Sequence, residues 1–417
     1  MEKPLTEVRA MEKPLNQQKT VKLLITILSV AMCVFHLYTA GTFPLSAMEQ
    51  RSLHFAFALA LIFLWASLDE KKPWLRFLDY ALALIGVIVN LYMYFNWLEL
   101  SMRSTALLPM DYVMGITAII IVLIAAWRKV SKWLPIIAIV FIIYAFVGPY
   151  IPGYFWFLPI SLERFVSYLY TSIDGIFGSC LEVSASTCFM YCLFAEFLLR
   201  LGAGRFLIDI SYSIFGRIRG GSSKVSVVAC GLFGMVSGSA TSNVAATGSL
   251  TIPMMKESGY SAEDAGGICA SAAVGSMLMP PVMGAAAFVL AQMVNTGYGM
   301  VCVAAAVPAF LYYLALFLMV DLRAAKYGMK GLPKESIPKL SQVIKEGWHY
   351  IICLAVLIVL LVVLQWSATK AAFWSIVSMV IVDIIKRLVS KEKLTTWKEY
   401  PGVVVALVQL SKLLPLG

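Results

Sequence analysis

The chain has 417 residues, of which 60% are apolar and only 13% are charged. These proportions exclude an ordinary soluble protein of two or three domains. The formal net charge is +10, but the basic residues lie in short segments between apolar runs. That placement favours a role in membrane topology, with a lipid bilayer as the surroundings, over nucleic-acid binding.

Ten apolar runs approach the length of about 20 residues that a helix needs to cross a hydrocarbon layer of about 30 Å. In chain order they are 21–40, 52–68, 77–97, 112–127, 134–150, 176–199, 265–294, 298–320, 350–366 and 371–385. Lipid offers no partners to backbone amides, and the runs lack the alternation of a barrel strand. The predicted fold is therefore all-α, a polytopic transmembrane helix bundle.

Motifs of soluble enzymes and metal proteins are missing from the sequence. All eight cysteines fall inside apolar segments without a CxxC pair, and the chain has three histidines, so a disulfide framework or a zinc site is not expected. No Walker loop, GxGxxG, GxSxG or HExxH stands in a suitable context. We therefore predict that the protein is not an enzyme and holds no cofactor.

The distribution of Lys and Arg indicates whether the apolar stretch 225–255 crosses the membrane once or enters it and returns. With a cytoplasmic amino terminus, a single crossing there would place eleven later basic residues outside. If the stretch enters the membrane and returns, 28 Lys and Arg lie on the cytoplasmic side and 4 outside, with Lys412 in the unassigned tail left out. The positive-inside rule thus predicts a re-entrant hairpin, with arms 225–236 and 244–255 of about 18 Å each.

The predicted tip of this hairpin is polar and runs from Ser237 to Asn243. Free carbonyls that end the first arm suit a cation such as Na⁺, and free amides that begin the second arm favour a carboxylate. Hard oxygen ligands are available on Ser237, Ser239, Thr241, Ser242 and Asn243. The alternative interpretation is that these small residues only allow helices to pack closely.

A second break is expected in the run 265–294, where Pro280 and Pro281 remove two amide donors. Ser271, Gly275 and Ser276 precede this pair and are predicted, with the two prolines, to complete a substrate cavity. The alternative is a simple kink in a packed helix.

Acidic residues at membrane depth are costly and usually functional. Glu182 and Glu196 lie in the run 176–199, and Glu182 is the candidate for charge or proton handling. Glu196 is close to Arg200 along the chain, which predicts an ion pair between them.

One segment carries a family resemblance, GMVSGSATSNVAATGSLTIPMMKESGYSAEDAGGICASAAVGSMLMPP, from Gly234 to Pro281. In the order of its SGS-x-x-x-N, TIPMMK-x-x-GY and PP elements it closely resembles the large membrane subunit of tripartite ATP-independent periplasmic (TRAP) transporters. The first four runs look like the small four-helix subunit fused in front, an arrangement associated with the TAXI branch of the family.

The resemblance implies a permease of the bacterial inner membrane, multi-pass and with a cytoplasmic amino terminus. It implies import of small organic acids, C4-dicarboxylates among the candidates, by symport with Na⁺ or H⁺ and with a periplasmic solute-binding protein as partner. Residues 1–130 would be the small-subunit-like domain, and 131–398 the first half of the large subunit, with the hairpin at 225–255. On family grounds Gly238 joins Ser237, Ser239 and Asn243 in the cation site.

The sequence departs from the family pattern in its last part. Two inverted halves, each with one hairpin, are expected in the large subunit, and the tail 399–417 offers no second hairpin. This predicts a truncated or frameshifted product that needs a missing second half or a partner membrane chain. The alternative function is a truncated, non-transporting subunit for membrane interaction or assembly.

Overall fold

The computed structural model describes residues 5–42, 45–103, 106–333 and 337–389, and these residues divide into two compact units. The first unit extends to Ser186 and the second begins at Thr187. The predicted tail 399–417 lies outside the described residues. The predicted boundary near residue 130 concerns likeness to two subunits and stays a prediction.

Helices make up the first unit over its described residues. They are α1 (Leu5–Gly41), α2 (Ala47–Asp69), α3 (Pro73–Met102), α4 (Pro109–Lys129), α5 (Trp133–Val147), α6 (Leu162–Val166) and α7 (Ser179–Val183). A π-helix, Ser167–Thr171, follows α6, and another, Ser184–Cys188, follows α7. The core of this unit is formed by Met48, Val89, Met93, Leu100, Ala118, Tyr170 and Phe177.

The second unit continues the helical pattern. Its helices are α8 (Phe189–Arg200), α9 (Ala203–Phe215), α10 (Gly221–Ser237), α11 (Ala240–Glu257), α12 (Ala262–Val274), α13 (Ala285–Met293), α14 (Tyr298–Lys326), α15 (Leu340–Ile358) and α16 (Ala368–Val389). Its core centres on residues of α10 and α12, namely Val227, Cys230, Ala265, Ile268, Cys269, Ala272 and Ala273, joined by Met255, Tyr260 and Val320.

Nine helices within the described residues are long and apolar enough to cross a membrane. They are Lys19–Gly41, Ala47–Asp69, Pro73–Met102, Pro109–Lys129, Trp133–Tyr150, Ser179–Arg200, Tyr298–Lys326, Leu340–Val363 and Ala368–Lys386. The prediction of a polytopic helix bundle is confirmed.

The seventh predicted run, 265–294, is not a single spanning helix. It is divided into α12, with 13 residues, and α13, with 9 residues. At a rise of 1.5 Å per residue these helices are about 20 Å and about 14 Å long, so neither reaches across about 30 Å alone. The chain between them turns at Gly275–Met277 and passes through Pro280 and Pro281, where no regular helix can continue.

The stretch 225–255 folds as two helices, α10 and α11, with 17 and 18 residues. The predicted arms of 12 residues were too short, because helical structure extends outward to Gly221 and Glu257 and inward to Ser237 and Ala240. Each arm is about 26 Å long at the standard rise. Only Gly238 and Ser239 separate them.

Candidate functional site

Helices α10 and α11 pack as an antiparallel hairpin held by buried polar contacts. The Ser226 hydroxyl donates to Oγ1 of Thr251 at 3.1 Å near one end of the pair. Closer to the tip, Cys230 Sγ and Thr247 Oγ1 are 3.1 Å apart. Ser226 and Thr251 are 25 positions apart in the chain, and Cys230 and Thr247 are 17 apart. The outer ends of both helices therefore lie together, and the tip lies at Gly238.

The tip reverses the chain within two residues. Gly238 adopts the left-handed conformation, with φ +58°, and its N–H donates to the carbonyl of Gly234 at 3.2 Å. Ser239 caps α11, since its hydroxyl accepts from the N–H of Ser242 at 3.4 Å and lies 3.1 Å from Oγ1 of Thr241. Two predicted cation ligands, Ser239 and Thr241, are thus engaged with each other at the start of α11.

Asn243 lies inside the hairpin. It is fully buried, its Nδ2 donates to the carbonyl of Cys230 at 2.8 Å, and its Oδ1 accepts from Thr247 at 3.3 Å. The side chain therefore ties α11 to α10. Its placement in the cation site stays a prediction.

The broken run 265–294 packs against this tip. A methyl group built on Gly234 would lie 2.7 Å from Cβ of Ser276, and one on Gly238 would overlap the carbonyl oxygen of Met283. Only glycine permits this approach, so the two breaks that the sequence predicts separately meet in space.

Two serine hydroxyls at this junction have unused hydrogen-bonding capacity. Oγ of Ser237, at the end of α10, and Oγ of Ser276, after α12, are both buried without a hydrogen-bond partner among the described residues. Buried polar atoms usually have a partner, so these two hydroxyls are candidates for binding an ion or a water. Hydroxyl oxygens and the terminal carbonyls of α10 are hard donors that suit Na⁺.

Three tyrosines of α14 donate hydrogen bonds to backbone carbonyls at the breaks in the run 265–294. The hydroxyl of Tyr312 donates to the carbonyl of Ser271 at 2.7 Å, and that of Tyr313 to the carbonyl of Ala272 at 2.9 Å. The hydroxyl of Tyr298 donates to the carbonyls of Pro281 and Val282 at 2.8 and 2.7 Å. These tyrosines are not among the residues predicted from the sequence. The signal for them is their position in an otherwise apolar span, where a hydroxyl needs a partner.

The predicted substrate residues do not all line one space. Pro280 lines a cavity of about 400 Å³ together with the mostly apolar residues Phe215, Val227, Val228, Gly231, Leu232, Met279, Ala306, Phe310, Tyr313, Leu314 and Phe317. Ser271, Gly275, Ser276 and Pro281 are not part of that lining. Because its walls are apolar, this cavity does not resemble a carboxylate site, and the substrate cavity stays a prediction.

The opposite end of the hairpin is fixed to α14 by charge. Lys224 is 5% exposed, and its Nζ lies 2.5 Å from Oδ1 of Asp321. Arg219 Nη2 lies 2.5 Å from Oδ2 of the same carboxylate. Arg323 on α14 also pairs with Asp264 on α12. Asp321 was missed in the sequence because it lies near the end of a long apolar run.

Glu182 lies in the first unit. Its Oε2 is 2.6 Å from Nη2 of Arg51, whose side chain is buried whereas that of Glu182 is 42% exposed. Its role in charge handling stays a prediction. The expected ion pair of Glu196 with Arg200 is present, at 2.8 Å.

The fold and the site together define a class, that of multi-pass membrane proteins in which a helical hairpin meets a broken helix. Residues 117–414 match the family described as "Tripartite ATP-independent periplasmic transporter, DctM component". The chain belongs to that family, which places it in the inner membrane. The family is one of transporters rather than enzymes.

Three relatives show the extent of the likeness. The C4-dicarboxylate TRAP transporter large permease protein DctM of Pseudomonas aeruginosa is 32% identical over 168 residues, which is 40% of this chain and 39% of the relative. The protein of the same description from Vibrio cholerae is 30% identical over 157 residues, 38% and 34% of the two chains. The sialic acid TRAP transporter large permease protein SiaM of Vibrio cholerae is 30% identical over 142 residues, 34% and 33%. The chain thus spans between a third and two-fifths of the length of these relatives.

Proposed function

We propose that this chain is the membrane permease component of a secondary TRAP-type transporter that imports small organic acids with a cation gradient. The observation that carries the proposal is the junction of the two helix breaks, where Ser237 and Ser276 have unpaired, buried hydroxyls. The names of the relatives, which include C4-dicarboxylate and sialic acid transporters, support a carboxylate as the solute.

The proposed mechanism uses opposite ends of two helices. The carboxyl end of α10 carries partial negative charge, and its last carbonyls with Ser237 and Ser276 hold the cation. The amino end of α11 carries partial positive charge and exposes amides towards a carboxylate. A bound cation reduces the repulsion between an anionic solute and the terminal carbonyls, so the two bind together. Na⁺ fits these oxygens, and H⁺ is the alternative coupling ion.

The proposed transporter works with partner proteins and has a defined orientation in the membrane. A periplasmic solute-binding protein would deliver the solute, and a second half of the permease or a partner membrane chain would complete the site. Residues 1–130 act as a fused small subunit of the TAXI type. The family match begins at residue 117, so most of residues 1–130 lies outside the match to the large subunit. The excess of Lys and Arg in alternate loops supports a cytoplasmic amino terminus.

Uptake of a labelled C4-dicarboxylate into membrane vesicles tests the proposal. The vesicles contain the complete permease and are supplied with the solute-binding protein, and Na⁺ and H⁺ gradients are imposed separately. Ser237→Ala and Ser276→Ala remove hydroxyls that have no partner among the described residues, so the fold should be retained. We expect each variant to require more of the coupling cation for the same uptake.

The matched control is Ser222→Ala. Ser222 also has a buried hydroxyl without a partner in the described part of the chain, but it lies at the outer end of α10, away from the tip. Uptake by this variant should equal that of the parent protein. Unchanged cation dependence in both tip variants would contradict the site, and no uptake with any gradient would contradict the function.

A further inference from the structure

A buried polar cluster in the first unit has no part in the proposed transport site. His36 on α1 and His54 on α2 are each 1% exposed, and Nε2 of His36 lies 2.9 Å from Nδ1 of His54. Nδ1 of His36 lies 2.7 Å from the carbonyl oxygen of Met32, and Nε2 of His54 lies 3.1 Å from Oγ of Ser184. A continuous chain of hydrogen bonds therefore runs from Ser184 through both rings to Met32.

The geometry restricts where protons can lie. Two ring nitrogens at 2.9 Å need one proton between them, because two lone pairs or two N–H groups would repel each other. The carbonyl of Met32 can only accept, so His36 donates to it from Nδ1. In the neutral pair the shared proton then belongs to Nδ1 of His54, and the hydroxyl of Ser184 donates to Nε2 of His54.

We propose that His36 and His54 form a site that binds one proton from solvent. The added proton bonds to Nε2 of His54, and the proton on Nδ1 of His54 moves to Nε2 of His36. The hydroxyl of Ser184 turns from donor to acceptor. The positive charge then lies on the ring of His36. That ring still donates to the carbonyl of Met32, and the carbonyl of Ala185 also faces it. Every hydrogen bond in the series from Ser184 to Met32 is kept. The two hydrogen bonds that His54 makes reverse their donor and acceptor.

The local backbone favours a functional interpretation. Ser184 and Ala185 belong to the π-helix Ser184–Cys188, and such segments are frequent at functional sites. Nε2 of Gln50 donates to the carbonyl of Ala185 at 3.0 Å, while Oε1 of Gln50 is buried without a partner among the described residues. The cluster therefore contains a buried acceptor, Oε1 of Gln50, that no hydrogen bond among the described residues uses.

Most of the charged groups near the pair take part in ion pairs. Titratable or charged side chains within six residues of the pair and of Ser184 are Cys33, Tyr38, Glu49, Arg51, Cys180, Glu182 and Cys188. Arg51 and Glu182 form an ion pair, so together they add no net charge. On α3 and α4, which pack against α2, Arg128 pairs with both Asp79 and Glu70, and Arg103 pairs with both Glu99 and Asp111. Lys129 pairs with Asp69.

Histidine-selective ¹⁵N NMR of the full chain in phospholipid bilayers, between about pH 4 and pH 8, tests the proposal. The chain has three histidines, and His349→Gln leaves only the two rings of the pair. We expect the pair to gain one imidazolium and not two. In His54→Gln the ring of His36 loses its histidine partner. If the two rings are coupled, the proton affinity of His36 should change by about tenfold or more, the size of interaction that defines coupled sites.

Three results would overturn the proposal. They are two rings that stay neutral at the acidic limit, two rings that charge independently, or a His36 titration that His54→Gln leaves unchanged. If the His54 variant does not fold, the proton count in the parent pair decides alone. None of these measurements depends on transport, so the proposal stands or fails separately from the proposed function.

Discussion

The side-chain amide of Asn243 donates a 2.8 Å hydrogen bond to the backbone carbonyl of Cys230 and so joins the two arms of the hairpin across their buried interface. Removing one partner of a buried hydrogen bond costs about 1–3 kcal/mol. Asn243→Ala should therefore lower the thermal unfolding midpoint of the purified chain in detergent. Ser249→Ala, an exposed hydroxyl on the same helix, is the control and should have no effect. An equal midpoint in the two variants would show that this bond does not stabilise the hairpin.

Gly238 should tolerate no side chain. Its φ of +58° disfavours other residues by about 1–2 kcal/mol, and an added methyl group overlaps the carbonyl of Met283. Gly238→Ala should lower the unfolding midpoint or separate the tip from the broken helix. Gly266→Ala is the control, because a methyl group there meets no atom within 4 Å in a regular helix and should stabilise by up to about 1 kcal/mol. Both are measured by thermal unfolding, and a neutral Gly238→Ala would contradict the tight contact.

Lys224 and Arg219 share the carboxylate of Asp321 but differ in exposure. The side chain of Lys224 is 6% exposed and that of Arg219 is 52% exposed. Water screens the exposed pair, so Lys224→Met should destabilise the chain more than Arg219→Met. Limited proteolysis between α9 and α10 measures the difference, and the reverse order would mean that the exposed arginine holds the hairpin.

Glu70 makes a pH-dependent contribution to stability. The N–H of Lys72 and the guanidinium of Arg128 hold the pKa of this carboxyl below its usual range. A group whose pKa is lowered by folding stabilises the protein above its unfolded pKa of about 4.3, and that stability is lost as the pH falls through the folded value. Thermal midpoints of the parent and of Glu70→Gln should differ at neutral pH and converge in acid. A difference that persists at the lowest pH would exclude this charge as the cause.

Membrane orientation can be measured at exposed positions around the hairpin. Arg217 and Lys256 flank it and are exposed, whereas Lys224 is buried and unsuitable for labelling. In a cysteine-free background, single cysteines at these two positions should react with a membrane-impermeant maleimide from the cytoplasmic side. A cysteine at Tyr154, which is 97% exposed, should react from the opposite side. Labelling of the two flanking positions from opposite sides would exclude re-entrance.

Much of the architecture follows from local patterns. Continuous apolarity predicts the spanning helices, and the proline pair predicts the break after α12, because both depend on residues close in sequence. The basic residues predict a reversal between 225 and 255, since charge resists crossing lipid wherever it lies in the chain. The short predicted arms failed because polarity was taken to end the helices, whereas the serines and threonines near the tip continue α11 with their hydroxyls bonded within the hairpin.

The sequence by itself determined that this protein is a helical membrane protein with two interrupted segments, because hydropathy and helix breaking are properties of neighbouring residues. Only the tertiary structure decided that Ser237 and Ser276 share one junction, that Tyr312 and Tyr313 satisfy the carbonyls of α12, and that His36 meets His54. These contacts join residues 18 to 41 positions apart. They depend on which faces of packed helices meet, and no local pattern in the chain specifies that choice.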